Sequence, residues 1–177
     1  MRLLAALLAT SLIAAPAFAK PDVTTAVDAD YSAYLEKLFL DFHKNPELSF
    51  LETRTAGIMA KELRAIPGIE VTEKVGGTGV VGVMRNGAGP VLLMRADMDG
   101  LPLKENSGLA YQSTATQVDR DGVTKPVMHA CGHDVHITAM IGTARQLARL
   151  KDQWRGTILF VVQPAEDHVH RVESGQG

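Results

Sequence analysis

Gly156-Thr157-Ile158-Leu159-Phe160-Val161-Val162-Gln163-Pro164-Ala165-Glu166-Asp167 runs from an almost unbroken apolar segment into two adjacent carboxylates. Thr157–Val162 reads as a strand buried on both faces. Just before it, His133 to Leu150 places Ile137, Met140, Ile141, Ala144, Leu147 and Ala148 on one side of a helix. Outward from this helix–strand unit the elements keep alternating. Apolar residues at helical spacing predict helices over 28–44 and 52–65, stopped by Asn45-Pro46 and Pro67-Gly68. Ile69–Lys74 alternates as a short strand, and Gly76-Gly77-Thr78-Gly79 is a turn. Val80–Arg85 and Val91–Arg95 bracket Asn86-Gly87, a strong hairpin signal. Residues 108–125 form a polar loop with an Asp-rich tip. Helices mixed with buried strands predict a layered α/β domain, and the chain has no internal repeat.

The N-terminus predicts export. Arg2, an apolar stretch from Leu3 to Ala15 and Ala17-Phe18-Ala19 together resemble a cleavable signal peptide over residues 1–19. The stretch is too short for a permanent membrane span, so the expected location is the periplasm or the medium, with no membrane contact after cleavage. A hydrophobic content of 46% supports a packed core, and a net charge of −2 argues against a nucleic-acid partner. With one cysteine the chain cannot form an internal disulfide.

Three loops could carry chemistry. Met128-His129-Ala130-Cys131-Gly132-His133-Asp134-Val135-His136 gathers the only cysteine and three of the six histidines. Cys131 is an inert buried thiol, a reactive thiol or a metal ligand; flanking histidines favour the last two. Gly132 permits a tight turn, so Cys131 and His133 can converge on one ion. His136, at i+3 from His133, reads as a polar group on the helix flank in preference to a further ligand. Asp97 and Asp99, two apart after a strand, would share one face if extended. Glu166 and Asp167 would point to opposite faces if the strand continued, one toward a metal and the other toward a substrate water. Open α/β sheets bind ligands at such carboxyl ends of strands.

Four segments together resemble a known family: Phe42-His43-Lys44-Asn45-Pro46-Glu47-Leu48-Ser49, Arg95-Ala96-Asp97-Met98-Asp99-Gly100-Leu101-Pro102, Met128-His129-Ala130-Cys131-Gly132-His133-Asp134 and Gln163-Pro164-Ala165-Glu166. In this order they are similar to the signatures of M20-type metallo-amidohydrolases, in the branch of N-acyl-amino-acid amidohydrolases, hippurate hydrolases and auxin-conjugate hydrolases. The resemblance implies the amino-terminal part of a zinc-peptidase-like α/β/α catalytic domain over residues 20–167. It also implies a site for two divalent ions, manganese or zinc, and hydrolysis of the amide bond of N-acyl amino acids or peptide-like conjugates. Matched residue by residue, Cys131 and His133 are metal ligands, and Glu166 is the general base acting on a metal-bound water. Asp167 stands where the family has a ligating Glu, one methylene longer. Asp97 and Asp99 orient the site through contacts behind the ligands.

Beyond the acidic pair the resemblance stops. The family continues through a Gly-rich stretch, a lid and dimerisation domain and two further histidine ligands, whereas residues 168–177 read as a non-family tail in which His168 and His170 fit neither ligand. A truncated chain, from a reading-frame shift near Glu166, is the expectation, with homodimerisation confined to a full-length form. Two functions compete: a metal-dependent amidohydrolase, and an inactive remnant that holds a single ion weakly at best. A Cys131–His133 thiol hydrolase is a distant third, because no group is identifiable to orient the base.

Overall fold

A computed structural model describes residues 22–167. The expected leader (1–19) and tail (168–177) lie outside the described residues.

The first helix begins earlier than its apolar spacing implies. The Asp22 carboxylate accepts hydrogen bonds from the Thr24 and Thr25 amides at 3.1 and 3.2 Å, capping α1 (Val23–Asp30). A π-helical turn over Tyr31–Leu35 leads into α2 (Glu36–Lys44). After it come α3 (Thr53–Arg64), β1 (Ile69–Val75), β2 (Gly79–Asn86) and β3 (Val91–Asp97). A small hairpin of β4 (Thr116–Val118) and β5 (Thr124–Pro126) occupies the loop expected at 108–125, its tip closed by Asp119 accepting from the Asp121 and Val123 amides. Finally α4 (His133–Arg149) leads into β6 (Gly156–Gln163).

The main sheet has the order β1-β2-β6-β3, which corrects the expected hairpin at Asn86-Gly87. β2 and β3 are not neighbours: β6 lies between them, antiparallel to β2 and parallel to β3. Asn86 spends its side-chain amide on the carbonyls of Lys151 and Trp154, both at 2.6 Å. The loop then passes the start of β6, where the Thr157 amide donates to the Pro90 carbonyl. Gly156 makes that crossing possible, since a Cβ there would stand 2.3 Å from the Pro90 oxygen. The true hairpin is β1–β2, turned at Gly76-Gly77 with φ of 63° and 111°.

Helices cover one face of this sheet. Met59, Leu63, Ile137, Met140 and Ile141 pack with Val80, Met84, Ile158, Phe160 and Val162 in a single core. The other face is a second correction. β6 alternates buried and half-buried residues, so Leu159 and Val161 are only partly covered, and Val91 and Leu93 on β3 are exposed. Its apolar composition suits two-sided burial, but the described residues place a helical layer on one side only.

Two charged contacts set α4 against the helices before it. Arg145 clamps the buried Asp30 with Nε and Nη2 at 2.6–3.1 Å. His43, on α2, has Nδ1 2.6 Å from Asp134 Oδ2 and Nε2 3.2 Å from Glu105 Oε1.

Candidate metal centre

The site is built at the start of α4. Gly132, at φ 77°, turns the chain into the helix, so Cys131 and His133 leave on either side of a tight bend. Asp134 follows in the first turn, its Oδ1 accepting from the Val135 amide and its Oδ2 facing His43. Burial alone would lower the His43 pKa, but its bonds to Asp134 and Glu105 outweigh this and raise it. A raised folded-state pKa gives stability that is complete below the unfolded value, about 6.5, and is lost as pH rises through the folded value. The stability difference between wild type and His43→Gln is therefore expected to be largest below pH 6.5 and to shrink above it, as read from denaturant midpoints. A difference independent of pH would show that His43 is not held as an imidazolium.

His133 is buried, with Nδ1 2.8 Å from the Asp99 carbonyl and 3.3 Å from its Oδ1. The side-chain bond to Asp99 dominates over burial and raises the His133 pKa to about 9. Asp99 is equally committed. Burial would raise its pKa, but bonds from His133, Ser49 and the Asp167 amide bring it down to about 2. Ser49 Oγ donates to Asp99 Oδ2 at 2.7 Å, and the Asp167 amide donates to the same oxygen at 3.1 Å. One carboxylate thus ties the loop after β3, the start of α4 and the acidic turn together.

That acidic turn differs from the expected extended strand. β6 ends at Gln163, Ala165 takes φ 52°, and Glu166 and Asp167 stand in a turn. Glu52 anchors it from below: fully buried, it accepts from the Phe50 and Ala165 amides and from Thr78 Oγ1. The two carboxylates still separate. Asp167 turns inward, its Oδ1 3.5 Å from the exposed Cys131 Sγ, and its buried Oδ2 accepts no hydrogen bond among the described residues. Glu166 is exposed, with Oε2 3.7 Å from His133 Nε2 and Oε1 3.6 Å from Arg95 Nη2.

Cys131, His133 and Asp167 each bring a donor atom to within 4.8 Å of the others. Partial desolvation, then Asp167 and Glu166, raise the Cys131 pKa. A thiol crowded by carboxylates needs a cation to ionise, so this donor set of S, N and O with an orphaned buried carboxylate oxygen fits a divalent metal. Asp97 lies on the Arg95 side, accepting from Arg95 Nε at 2.7 Å. His129 is buried with neither ring nitrogen hydrogen-bonded among the described residues, and burial lowers its pKa. His43 and Ser49 could have been found from the first motif. Arg95 opens the second, and its bond to Asp97 follows the i, i+2 spacing on β3 that puts both side chains on one face. Glu52 and Glu105 carry no local signal, because only the fold brings them to their partners.

A helix-layered sheet with cysteine, histidine and carboxylates gathered at strand ends is the plan of a metal-dependent α/β hydrolase. Residues 93–176 match the model of peptidase family M20/M25/M40. The chain is 44% identical over 127 residues to thermostable carboxypeptidase 2 of Saccharolobus solfataricus, covering 71% of this chain and 30% of that protein. It is 40% identical over 139 residues to hippurate hydrolase of Campylobacter jejuni, covering 78% of this chain and 33% of the relative. Among solved structures, the Bacillus subtilis YXEP protein, described as a dinuclear metal binding peptidase from the M20 family, aligns with a TM-score of 0.68 and 34% identity, over 79% of this chain and 37% of its own. This chain belongs to the M20 family, and it spans about a third of the length of the curated relatives it matches.

Proposed function

We propose that this segment carries the metal-binding and proton-transfer core of an amidohydrolase that cleaves the amide bond of N-acyl amino acids or related conjugates. The observation that carries the reading is the convergence of Cys131, His133 and Asp167 on one point. Hippurate is itself an acyl amino acid, and a hippurate hydrolase is among the relatives. Two divalent ions, when bound, supply Lewis acidity toward the scissile carbonyl and the attacking water.

The chain's own residues account for the remaining steps. His133 presents Nε2, because Nδ1 donates its hydrogen to the Asp99 carbonyl. Asp99 also fixes the Asp167 backbone, which keeps that carboxylate beside Cys131. Glu166 is exposed, makes no side-chain hydrogen bond among the described residues, and takes a proton from water and returns it to the leaving amine nitrogen. Arg95 stands beside it, with Nη2 3.6 Å from Glu166 Oε1.

Cys131 tests this assignment directly. A metal-bound thiolate is masked, so a thiol reagent is expected to label Cys131 slowly in zinc- or manganese-loaded protein and rapidly after chelation. Hydrolysis of an N-acyl amino acid should disappear with the same chelator. Equal labelling rates in both states would take Cys131 out of the ligand set.

A further inference from the structure

Among the described residues, Phe50, Lys74 and Ala165 are the non-glycine residues with a left-handed backbone, at φ of 67°, 61° and 52°. Lys74 sits at the irregularity in the β1–β2 pairing, where a bulge calls for such a backbone. The other two donate their amides to one atom, Glu52 Oε1, each at 2.9 Å. A bulky side chain at such a φ costs backbone energy and persists only where surrounding contacts over-determine it. They do so at Phe50. It is the third residue of a turn closed by the Leu51 amide on the Leu48 carbonyl at 2.9 Å, a position that favours glycine. Gln117, on β4, braces both ends of that turn. It accepts from the Leu48 amide at 2.6 Å and donates to the Leu51 carbonyl at 3.3 Å. Arg120, in the β4–β5 connection, holds its guanidinium over the Phe50 ring, 4.9 Å from the centroid.

Core burial does not account for that ring. Phe50 is half-buried and stands outside the core that joins the helices to the sheet. It lines a cavity of about 280 Å³ together with Val81, Val161, Gln163 and Ala165. Val81 and Val161 are register partners on β2 and β6. They are half-buried and alternate with Val80 and Val162 of the core, so they face away from the helices. The cavity lies at the carboxyl end of β6, and Ala165 on its wall directly precedes Glu166. Ser49, the other central residue of the turn, shares Asp99 Oδ2 with the Asp167 amide. The Phe50 turn and the acidic turn are therefore tied together twice, through Glu52 and through Asp99. An apolar cavity of about 150 Å³ holds a benzene molecule, so this one has room for a ring.

We propose that Phe50 is a specificity-determining residue, whose ring forms with Val81 and Val161 a subsite for an aromatic or similarly large apolar substituent next to the scissile amide. The proposal rests on the amidohydrolase reading and deepens it. The braced turn fixes the ring before substrate arrives, so little ordering is left to be done on binding. An N-acyl amino acid can carry such a group on its acyl side or on its amino-acid side, and both present the same surface to the cavity.

The test uses the Zn(II)-loaded full chain carrying Glu166→Gln, which leaves bound substrate uncleaved. It is titrated by calorimetry with N-acetylglycine, N-benzoylglycine and N-acetylphenylalanine. The two larger compounds carry a ring on opposite sides of the amide. At least one of them is expected to bind more tightly than N-acetylglycine, and its identity tells from which side the ring enters. Adding Phe50→Gly, which suits φ 67°, should cut that preference about tenfold, whereas Phe50→Tyr should retain it. Val81→Phe fills the cavity from the opposite wall and should cut it as well, so the answer does not depend on one variant folding. Circular dichroism checks each fold. A preference that survives either folded substitution would overturn the subsite, as would equal binding of all three compounds before any change at Phe50. Binding of none would overturn the amidohydrolase reading and the subsite with it.

Discussion

Replacing Glu166 with Gln is expected to lower hydrolysis of N-acyl amino acids by about two to four orders of magnitude, with metal content unchanged. The amide keeps the size of the side chain but cannot accept a proton at neutral pH. Glu166 sits outside the Cys131–His133–Asp167 group, 3.7 Å from His133 Nε2 and 3.6 Å from Arg95, so its loss removes proton transfer without removing a ligand. The effect should fall on kcat more than on KM, since the step it serves follows substrate binding. Measurement of kcat and bound metal on the same preparations checks both halves. Unchanged kcat would assign the proton transfer elsewhere. Loss of metal together with activity would make Glu166 a ligand.

Arg145→Met should cost about 3 kcal/mol of stability, the largest effect expected from a position remote from the site. Asp30 is buried, and the Arg145 guanidinium grips both its oxygens from α4. Arg149 also reaches Asp30, but at 3.5 Å and from a more exposed position, so it compensates only in part. The same substitution removes the stacking of Arg145 over Tyr34, 4.9 Å from the ring centroid. Adding Asp30→Asn should recover part of the loss, because the cost arises from an unpaired buried charge and not from lost packing. Urea denaturation of the single and double variants measures this. A double variant as unstable as the sum of both singles would show that the ion pair is not what stabilises this contact.

Much of the architecture was legible along the chain. The helix over 133–150, the strand over 157–162 and the order of the elements depend on periodicities that neighbouring residues set, and the structure places them as α4 and β6 within a residue or two. Local chemistry also brought Cys131, Gly132 and His133 together, because a glycine bend acts over three residues whatever surrounds it. The meeting of that bend with Asp167 and with Asp97 was legible only as a resemblance to a family.

Strand pairing was not legible. Asn86-Gly87 has the composition of a hairpin turn, yet β6 enters between β2 and β3 and takes both edges. A turn's preference is worth little beside a full-length apolar strand hydrogen-bonded on two sides. Single-sided coverage of β6 had the same cause, since apolar composition states what a residue tolerates and not what lies against it. The acidic pair follows this division. Sequence alone determined two carboxylates just beyond a strand, beside a thiol and imidazoles elsewhere in the chain. Tertiary structure alone decided that Asp167 turns inward and Glu166 outward, because the buried Glu52 holds the Ala165 amide and Asp99 holds that of Asp167. Those anchors lie more than sixty positions away along the chain, and only the closing of the sheet brings them within hydrogen-bonding distance.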